Sequence, residues 1–170
     1  MKAAACLAAV LATALPLALH AQAQPAYGCD SPESKRFDFW LGDWELSFAG
    51  GQSRNQVAKT LDGCVIVEQF RGAPGTKLDG TSVSAYDRAA KRWKQTWVDN
   101  SGGYLDFVGG EDAGDSTFER EFEKDGKKVR QRMVFRDVKA DSLKWLWQRS
   151  DDGGKSWKTA WEIDYKRVKR

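Results

Sequence analysis

Three glutamates at alternate positions, Glu119, Glu121 and Glu123, form the most regular set of ionisable side chains in the sequence. Paired carboxylates can perform acid–base chemistry when their pKa values are pushed apart. Here the Asp125-Gly126 dipeptide predicts a two-residue hairpin turn that sets each glutamate opposite a basic residue. The pairs are Glu123 with Lys128, Glu121 with Arg130, and Glu119 with Arg132. We therefore interpret this face as a solvated row of opposite charges.

The other face of the same hairpin is apolar and carries one charge, Arg120. This arginine lies between Phe118 and Phe122 and faces Gln131 across the hairpin. A buried guanidinium needs an anionic or hydrogen-bonding partner, because leaving it unpaired is costly. In one hypothesis, the Arg120 guanidinium binds an internal carboxylate or carbonyl, or its aliphatic stem extends so that the charged group reaches water. In the other, the guanidinium binds the polar head of a bound amphiphile.

Tryptophans recur at alternate positions in several segments, so they should share the inner face of a sheet. A few convergent polar groups in an aromatic cavity are the usual form of a ligand site. The sequence therefore predicts an internal site for a small, partly apolar ligand. Its candidate residues are Trp93, Gln95, Trp97, Arg120, Gln131, Trp145 and Trp147.

The first 23 residues have the features of a signal peptide. Lys2 supplies a positive charge, residues 3–19 are apolar, and residues 21–23 form a small-x-small cleavage site. Pro16 and this site favour cleavage over an uncleaved membrane anchor. Removal of 23 residues from 170 leaves 147, enough for one domain. We predict a flexible leader over 24–30, one domain over 31–170, and secretion or a periplasmic location.

Cleavage would remove His20, the only histidine. The remaining chain could then hold no Ser-His-Asp or Cys-His nucleophile, no His-ligated haem and no His-containing zinc site. We assign no catalytic residue, no metal ligand and no cofactor. The net charge of +3 would fall to about +2 without Lys2. The basic residues at 166–170 indicate a solvated tail, so we expect no nucleic-acid partner and leave the oligomeric state open.

Cleavage would also remove Cys6 and leave Cys29 and Cys64. Two cysteines in an exported chain predict one disulfide. It would tie the segment before the first strand to the third strand, and loop closure could stabilise the fold by about 4 kcal/mol. Lipid modification of Cys29 is the alternative, but residues 26–28 fit a lipobox poorly.

Residues 31–41 predict a short helical plug at one end of the fold. Ser31 is a good N-cap, and Phe37, Trp40 and Leu41 share one apolar helical face. Gly42 can take the left-handed conformation that ends a helix. After it, Trp44 and every second residue to position 48 are apolar, as in a half-buried strand.

About ten strands follow with short turns and no long helix between them. Their spacing predicts an all-β fold, an antiparallel up-and-down barrel closed on itself, with a sandwich as the alternative. The spacing of Trp157 and Trp161 places both on one side of the last strand. The expected strands are 43–49, 55–61, 64–70, 81–86, 92–98, 104–108, the two arms of the Asp125-Gly126 hairpin, one around 143–147, and 157–168.

Residues 150–157 match the Asp-box pattern Ser-x-Asp-x-Gly-x-Ser/Thr-Trp, which resembles the hairpin turns of sialidase propellers. In such a turn Asp152 accepts backbone N–H bonds, Gly154 takes unusual dihedral angles and Trp157 packs beneath. One copy cannot build a propeller, so we interpret the motif as a structural turn. Calcium at Asp151 and Asp152 is the alternative, with too few oxygen ligands nearby.

Four segments together resemble a family of exported bacterial proteins of unknown function. They are the opening motif FDFWLGDW at 37–44, and residues 63–68, 97–100 and 152–157. In addition, Gly42-Asp43-Trp44 and the closing Tyr165-x-Arg167 resemble the first and last strands of lipocalin and fatty-acid-binding barrels. The resemblance implies a lipocalin-like (calycin) barrel in which Arg167 covers Trp44. In such a barrel, Trp40 and Gly42 have structural roles. It implies no activity, and the histidine that the haem-binding barrel nitrobindin uses is missing after cleavage.

Three functional hypotheses remain open at this level. The first is an exported barrel that binds a small hydrophobic or anionic amphiphilic ligand in its interior. The second is a cell-envelope structural or interaction module whose core is filled. The third is an enzyme that uses only carboxylate, tyrosine or arginine groups, which two inward carboxylates within about 10 Å would favour.

Overall fold

Ten antiparallel strands form a closed barrel in the computed structural model, which describes residues 29–72, 74, 78–112 and 115–169. Each strand pairs with the next along the chain, and β10 pairs with β1 to close the barrel. The predicted fold class is confirmed, and the sandwich alternative is wrong. The strands are β1 Gly42–Phe48, β2 Gly51–Thr60, β3 Val65–Arg71, β4 Asp79–Asp87, β5 Arg92–Asp99, β6 Tyr104–Asp112, β7 Asp115–Lys124, β8 Lys127–Arg136, β9 Ser142–Ser150 and β10 Lys158–Arg167.

The hairpin of β7 and β8 has the register that the Asp125-Gly126 turn predicts, with Glu121 opposite Arg130 and Arg120 opposite Gln131. Two ion pairs on its outer face join diagonal neighbours rather than directly opposite residues. Glu121 pairs with Lys128 at 2.9 Å, and Glu119 pairs with Arg130. The right-handed twist of paired strands brings one set of diagonal side chains together, which explains the shift.

The plug consists of two 3₁₀ turns, Glu33–Lys35 and Asp38–Trp40, rather than one continuous helical turn. The Oγ of Ser31 accepts a hydrogen bond from the backbone N–H of Ser34 at 3.2 Å, so the predicted cap is present. Phe37 separates the two turns and is completely buried against Phe118, with ring centres 4.5 Å apart. This packing takes the Phe37 backbone out of the helical region (φ −98°, ψ 14°), which interrupts the helix.

Arg167 at the end of β10 joins the plug to the barrel. Its guanidinium carbon lies 4.0 Å from the centre of the Trp44 ring, a cation–π contact. The same group donates hydrogen bonds to the backbone carbonyls of Phe39, Leu41 and Ala140. Gly42 is the first residue of β1 and has φ +132°, so it does not end a helix in the left-handed conformation. A Cβ at this position would collide with the Arg167 guanidinium, which explains the glycine.

The predicted disulfide between Cys29 and Cys64 is present and fastens the start of the described chain to the turn between β2 and β3. The predicted signal peptide, residues 1–23, and most of the predicted leader lie outside the described residues. No helix in the described part of the chain is long and apolar enough to cross a membrane.

The Asp-box forms the turn between β9 and β10. The Asp152 carboxylate accepts hydrogen bonds from the backbone N–H of Ser156 at 2.9 Å and from the hydroxyls of Ser150 and Ser156. Gly154 has φ +94° and makes room for a neighbouring arginine. Trp157 packs under the Arg132 guanidinium at 4.0 Å on the outer surface. A β-bulge between Thr159 and Trp161 changes the alternation, so the expectation that Trp157 and Trp161 share one side is wrong.

Candidate functional site

The barrel encloses a cavity of about 270 Å³ that is partly open to solvent. It extends from Trp40 on the plug to Leu78 and Asp99, which lie at the opposite end of the strands. Ten strands make a barrel wide enough that side chains need not fill it, which explains why this space remains. The cavity wall is mostly aromatic, with Phe70, Trp97, Phe107, Trp145, Trp147 and Trp161.

The tryptophans of the wall support one another through ring contacts. Trp145 and Trp147 lie parallel with ring centres 6.3 Å apart, and Trp161 meets Trp145 edge to face at 5.8 Å. Phe70 contacts Trp97 and Trp161 in the same edge-to-face manner. Such contacts fix the ring orientations, so the wall is a preformed apolar surface.

A buried group of hydrogen-bonding residues, here called the polar cluster, lies at the plug end of the cavity. It consists of Asn55 on β2, Glu68 on β3, Ser82 on β4 and Tyr165 on β10. The Glu68 carboxylate accepts hydrogen bonds from Asn55 Nδ2 and from the Ser82 hydroxyl, each at 2.7 Å. Asn55 Nδ2 also donates to the Tyr165 hydroxyl oxygen at 3.2 Å. Glu68 and Tyr165 line the cavity, so the cluster forms its polar end.

Strand register explains how these side chains meet. Alternation along β3 turns Ile66, Glu68 and Phe70 into the barrel. Ser82 is directly opposite Glu68 on β4, and Asn55 reaches it diagonally from β2. Three adjacent strands thus supply the carboxylate and both of its hydrogen-bond donors.

Burial raises the pKa of Glu68 to about 7, and the hydrogen bonds from Ser82 and Asn55 oppose a further rise. Burial, together with the neighbouring Glu68 charge, raises the pKa of Tyr165 above its usual range, so its hydroxyl keeps its proton. Glu68 can therefore gain or lose a proton near neutral pH, whereas Tyr165 cannot. The polar cluster therefore contains one carboxylate that can bind or release a proton near neutral pH, next to hydrogen-bonding groups that do not titrate there.

The side-chain oxygen of Asn55 is buried at the same end and has no hydrogen-bond partner among the described residues. An unsatisfied buried polar atom costs about 1–3 kcal/mol. The side chain of Trp40, which lines the cavity, interacts with the Tyr165 hydroxyl.

Asp99 has a structural role at the other end of the cavity. Its carboxylate accepts hydrogen bonds from the Trp97 indole N–H at 2.9 Å and from the backbone N–H groups of Ser101 and Gly103. Hydrogen bonds from Ser101 and Trp97 lower the pKa of Asp99 to about 2, so it is ionised at neutral pH. Gly80 makes this arrangement possible, because a Cβ there would overlap the Trp97 ring.

Some of the predicted site residues line the cavity and the others do not. Trp97, Trp145 and Trp147 line the cavity. Trp93 is buried at the plug instead, where its indole N–H donates to the Glu33 carbonyl at 2.8 Å. Gln95 is buried and donates to the Ser84 hydroxyl at 3.0 Å.

Arg120 and Gln131 face inward as a cross-strand pair but are not among the lining residues of the cavity. The Arg120 guanidinium lies 4.6 Å from the Phe122 ring and 6.0 Å from the ring of Phe107, which does line the cavity. Its Nη1 is buried and has no hydrogen-bond partner among the described residues. Arg120 is therefore next to the cavity wall, held by aromatic rings.

The sequence-based prediction missed all four residues of the polar cluster, and Glu68 is the most important of them. The segment from Val65 to Phe70 is apolar on both faces, so its register could not be assigned from pattern alone. The available signal was that Glu68 is a single carboxylate in the middle of this segment. A charge at such a position is rarely buried without a partner.

The cavity and its surroundings offer little to a metal ion. Within the described residues, no three histidine, cysteine, aspartate or glutamate side chains are grouped in a way that could hold one. The carboxylates of Glu68 and Asp99 are both already engaged by hydrogen-bond donors. The arrangement therefore suits an organic molecule held by ring contacts and a few hydrogen bonds.

Comparison with known proteins gives one family match. Residues 39–167 match the model of the family described as "Protein of unknown function (DUF1579)". The match includes every strand of the barrel and all four residues of the polar cluster. A search of curated proteins found no match.

Proposed function

We propose that this chain, which belongs to the DUF1579 family of proteins of unknown function, binds a small, largely apolar molecule inside its barrel. The observation that carries this proposal is the cavity, which combines an aromatic wall with the polar cluster at one end. Its volume of about 270 Å³ is near the lower end of the range for small-molecule sites. The ligand is therefore small, with one polar group and an aromatic or short aliphatic body.

The cavity counts against the alternative of a structural module with a filled core. Protein interiors are close-packed, and a void of this size forfeits many contacts. The Asn55 oxygen, which has no hydrogen-bond partner among the described residues, adds a further cost. Unfilled space next to a buried polar group is what a ligand site requires.

The anionic amphiphile expected from the sequence would place its head group at Arg120. The buried Nη1 without a partner supports this placement. However, Arg120 lies beside the cavity wall, and the polar group inside the cavity is the Glu68 carboxylate, which repels an anion. We therefore assign the polar end of the ligand to the polar cluster and treat Arg120 as the alternative, which Arg120→Gln tests with a carboxylate ligand.

We also propose that the protein acts outside the cytoplasm, in the periplasm or after secretion. The Cys29–Cys64 disulfide supports this location because such bonds persist in oxidising compartments. The signal-peptide features of residues 1–23 support it independently. The mass of the protein recovered from the periplasm or medium should correspond to a chain that begins at Gln24, and a full-length cytoplasmic chain would contradict the proposal.

Two variants on the same strand test the binding proposal. Leu105 on β6 lines the cavity, whereas Val108 on β6 points to solvent and is 44% exposed. Leu105→Trp should fill part of the cavity, and Val108→Trp should leave it unchanged. In calorimetric titrations with phenethyl alcohol, we expect saturable binding by the natural protein and by Val108→Trp, and at least a tenfold loss in Leu105→Trp.

Circular dichroism would show that both variants keep the fold. Equal binding by Leu105→Trp and the natural protein would mean that the probe binds elsewhere and would contradict the proposal. Absence of saturable binding by the natural protein, with phenethyl alcohol and its amine and carboxylate analogues alike, would contradict it as well.

A further inference from the structure

We propose that the ligand is an organic amine, whose ammonium group binds the Glu68 carboxylate at the polar end of the cavity. This inference rests on the proposed function and specifies the chemical class of the ligand. It is carried by the position of Glu68, by the acceptors around it, and by the aromatic wall.

Glu68 has no cationic partner in the part of the chain that the structure describes. It is 6% exposed, and its carboxylate takes hydrogen bonds from Asn55 and Ser82, both neutral. No ion pair among the described residues reaches it. An ionised carboxylate can accept about four hydrogen bonds, so roughly two remain available. A buried charge without a counterion is unfavourable, and an ammonium group in the cavity would supply the counterion.

The neighbouring polar atoms also favour a hydrogen-bond donor. The Asn55 oxygen is an acceptor without a partner among the described residues, and Tyr165 lines the cavity. The donors at this end are the Trp40 indole N–H, which interacts with the Tyr165 hydroxyl oxygen, and the Tyr165 hydroxyl proton. Acceptors therefore outnumber free donors where the ligand's polar group would lie, which matches an ammonium group with up to three N–H bonds.

The walls favour a cation over an anion. The faces of tryptophan rings attract positive charge, and Trp97, Trp145, Trp147 and Trp161 surround the cavity. The ionised Asp99 at the other end adds a negative potential. An anionic ligand would meet two carboxylates, those of Glu68 and Asp99, among the lining residues.

The inference predicts a particular pH dependence. The amine needs ionised Glu68, so its affinity should rise with pH up to the pKa of Glu68, about 7, and then level off. The groups that face Glu68 do not titrate in this range. Asn55 and Ser82 are neutral, Tyr165 keeps its proton, and Asp99 is ionised throughout. An aliphatic amine stays protonated to about pH 10, as lysine does.

The test uses three probes with one phenyl ring and different end groups: phenethylamine, phenethyl alcohol and phenylacetate. Binding to the full mature protein is measured by calorimetry at pH 8 and pH 5. We expect phenethylamine to bind about tenfold more tightly than the alcohol at pH 8, the usual gain from a charged hydrogen bond. Its affinity at pH 5 should be about tenfold lower, because about one Glu68 in a hundred is then ionised and protonated Glu68 should bind the amine no better than Glu68→Gln does.

Glu68→Gln should lower the affinity for phenethylamine about tenfold and leave that for the alcohol within threefold. The glutamine oxygen can accept the hydrogen bond from Asn55, and its amide nitrogen can donate to the Ser82 hydroxyl, so the fold should survive. Glu45→Gln on the exposed face of β1 removes the same charge outside the barrel and should change neither affinity.

The other possible results distinguish failure of the amine assignment from failure of the binding function on which it rests. Preferential binding of the alcohol or of phenylacetate would overturn the amine assignment and leave the binding function intact. Amine binding that is unchanged in Glu68→Gln would also overturn it. Failure of all three probes to bind would overturn both.

Discussion

At the scale of single residues, Glu68 is where stability and the proposed binding conflict. Burial of its carboxylate raises its pKa to about 7, and no cation among the described residues pairs with it. Asn55 and Ser82 stabilise the ionised form only in part, because burial is the larger effect. A residue that costs stability in the empty protein is expected at a site where a ligand completes the interactions.

This cost is measurable as a pH-dependent stability difference. The pKa of Glu68 rises from 4.5 in a model peptide to about 7 in the folded protein. The folded state therefore binds the proton more tightly, and stability is lost as pH rises from about 4.5 to 7. Above pH 7 the full loss is about 3 kcal/mol. Without ligand, Glu68→Gln should be more stable than the natural protein at pH 8 by up to that amount, with no gain at pH 4.

Urea denaturation at both pH values would measure the difference, and Glu45→Gln is the matched control on the exposed face of β1. A stability change for Glu68→Gln that is equal at pH 4 and pH 8 would show that the carboxylate does not carry this cost.

The sequence allowed some of these residues to be placed and not others. The Asp125-Gly126 turn fixes the register of its hairpin, so Arg120 could be assigned to the inner face. Glu68 could not be assigned to the inner face, because β3 is apolar on both faces and the alternation of side chains does not indicate its register. Trp93 was expected in the cavity, yet the plug covers it, and a sequence pattern does not show which inward residues a plug will reach.

At the scale of elements, the close approach of β4 and β5 shapes the cavity. Gly80 on β4 has no side chain, and the Trp97 ring of β5 occupies the space that a Cβ would need. Asp99 holds the indole N–H of this ring at 2.9 Å. The wall at the Asp99 end of the cavity thus depends on a glycine, a tryptophan and an aspartate on two neighbouring strands.

Gly80→Ala tests this dependence. The added methyl group should displace the Trp97 ring and destabilise the protein by about 1–3 kcal/mol, as overpacking does. It should also weaken ligand binding, because Trp97 lines the cavity. Gly110→Ala is the control, since open space surrounds that position, and should have little effect on either property. Equal stability of the two variants in thermal denaturation would show that Trp97 is not held as described.

Element boundaries were predictable to within a few residues because strands here alternate and turns carry glycine or Asp-Gly signals. Two structural details were not predictable from the sequence. The plug is split at Phe37 by long-range packing on Phe118, which no local pattern encodes. The bulge near Trp161 shifts the alternation of β10, so Trp157 lies outside while Trp161 lines the cavity.

At the scale of the whole molecule, the plug end of the barrel is strongly fastened. The disulfide and the Arg167 contacts with Trp44 both lie at the plug end. The cavity extends away from these attachments, as far as Leu78 and Asp99. We therefore expect that stability and ligand binding can be changed separately.

Loss of the disulfide should show this separation. Replacing Cys29 and Cys64 by serine should lower the free energy of unfolding by about 2–4 kcal/mol, because the bond closes a loop with a sequence separation of 35 residues. Ligand affinity at low temperature should change less than threefold. Guanidinium denaturation and calorimetry measure the two effects, and two free thiols in the exported natural protein would contradict the bond itself.

The central claim is that a small molecule binds inside the barrel, and the indole N–H resonances of the eight tryptophans test it most directly. Titration of labelled protein with phenethyl alcohol should shift, with one saturation curve, the signals of Trp40, Trp97, Trp145, Trp147 and Trp161, which line the cavity. The signals of Trp44, Trp93 and Trp157, which lie at the plug or on the outer surface, should move little. Shifts confined to Trp157, or no saturable shift at all, would contradict a binding site in this cavity.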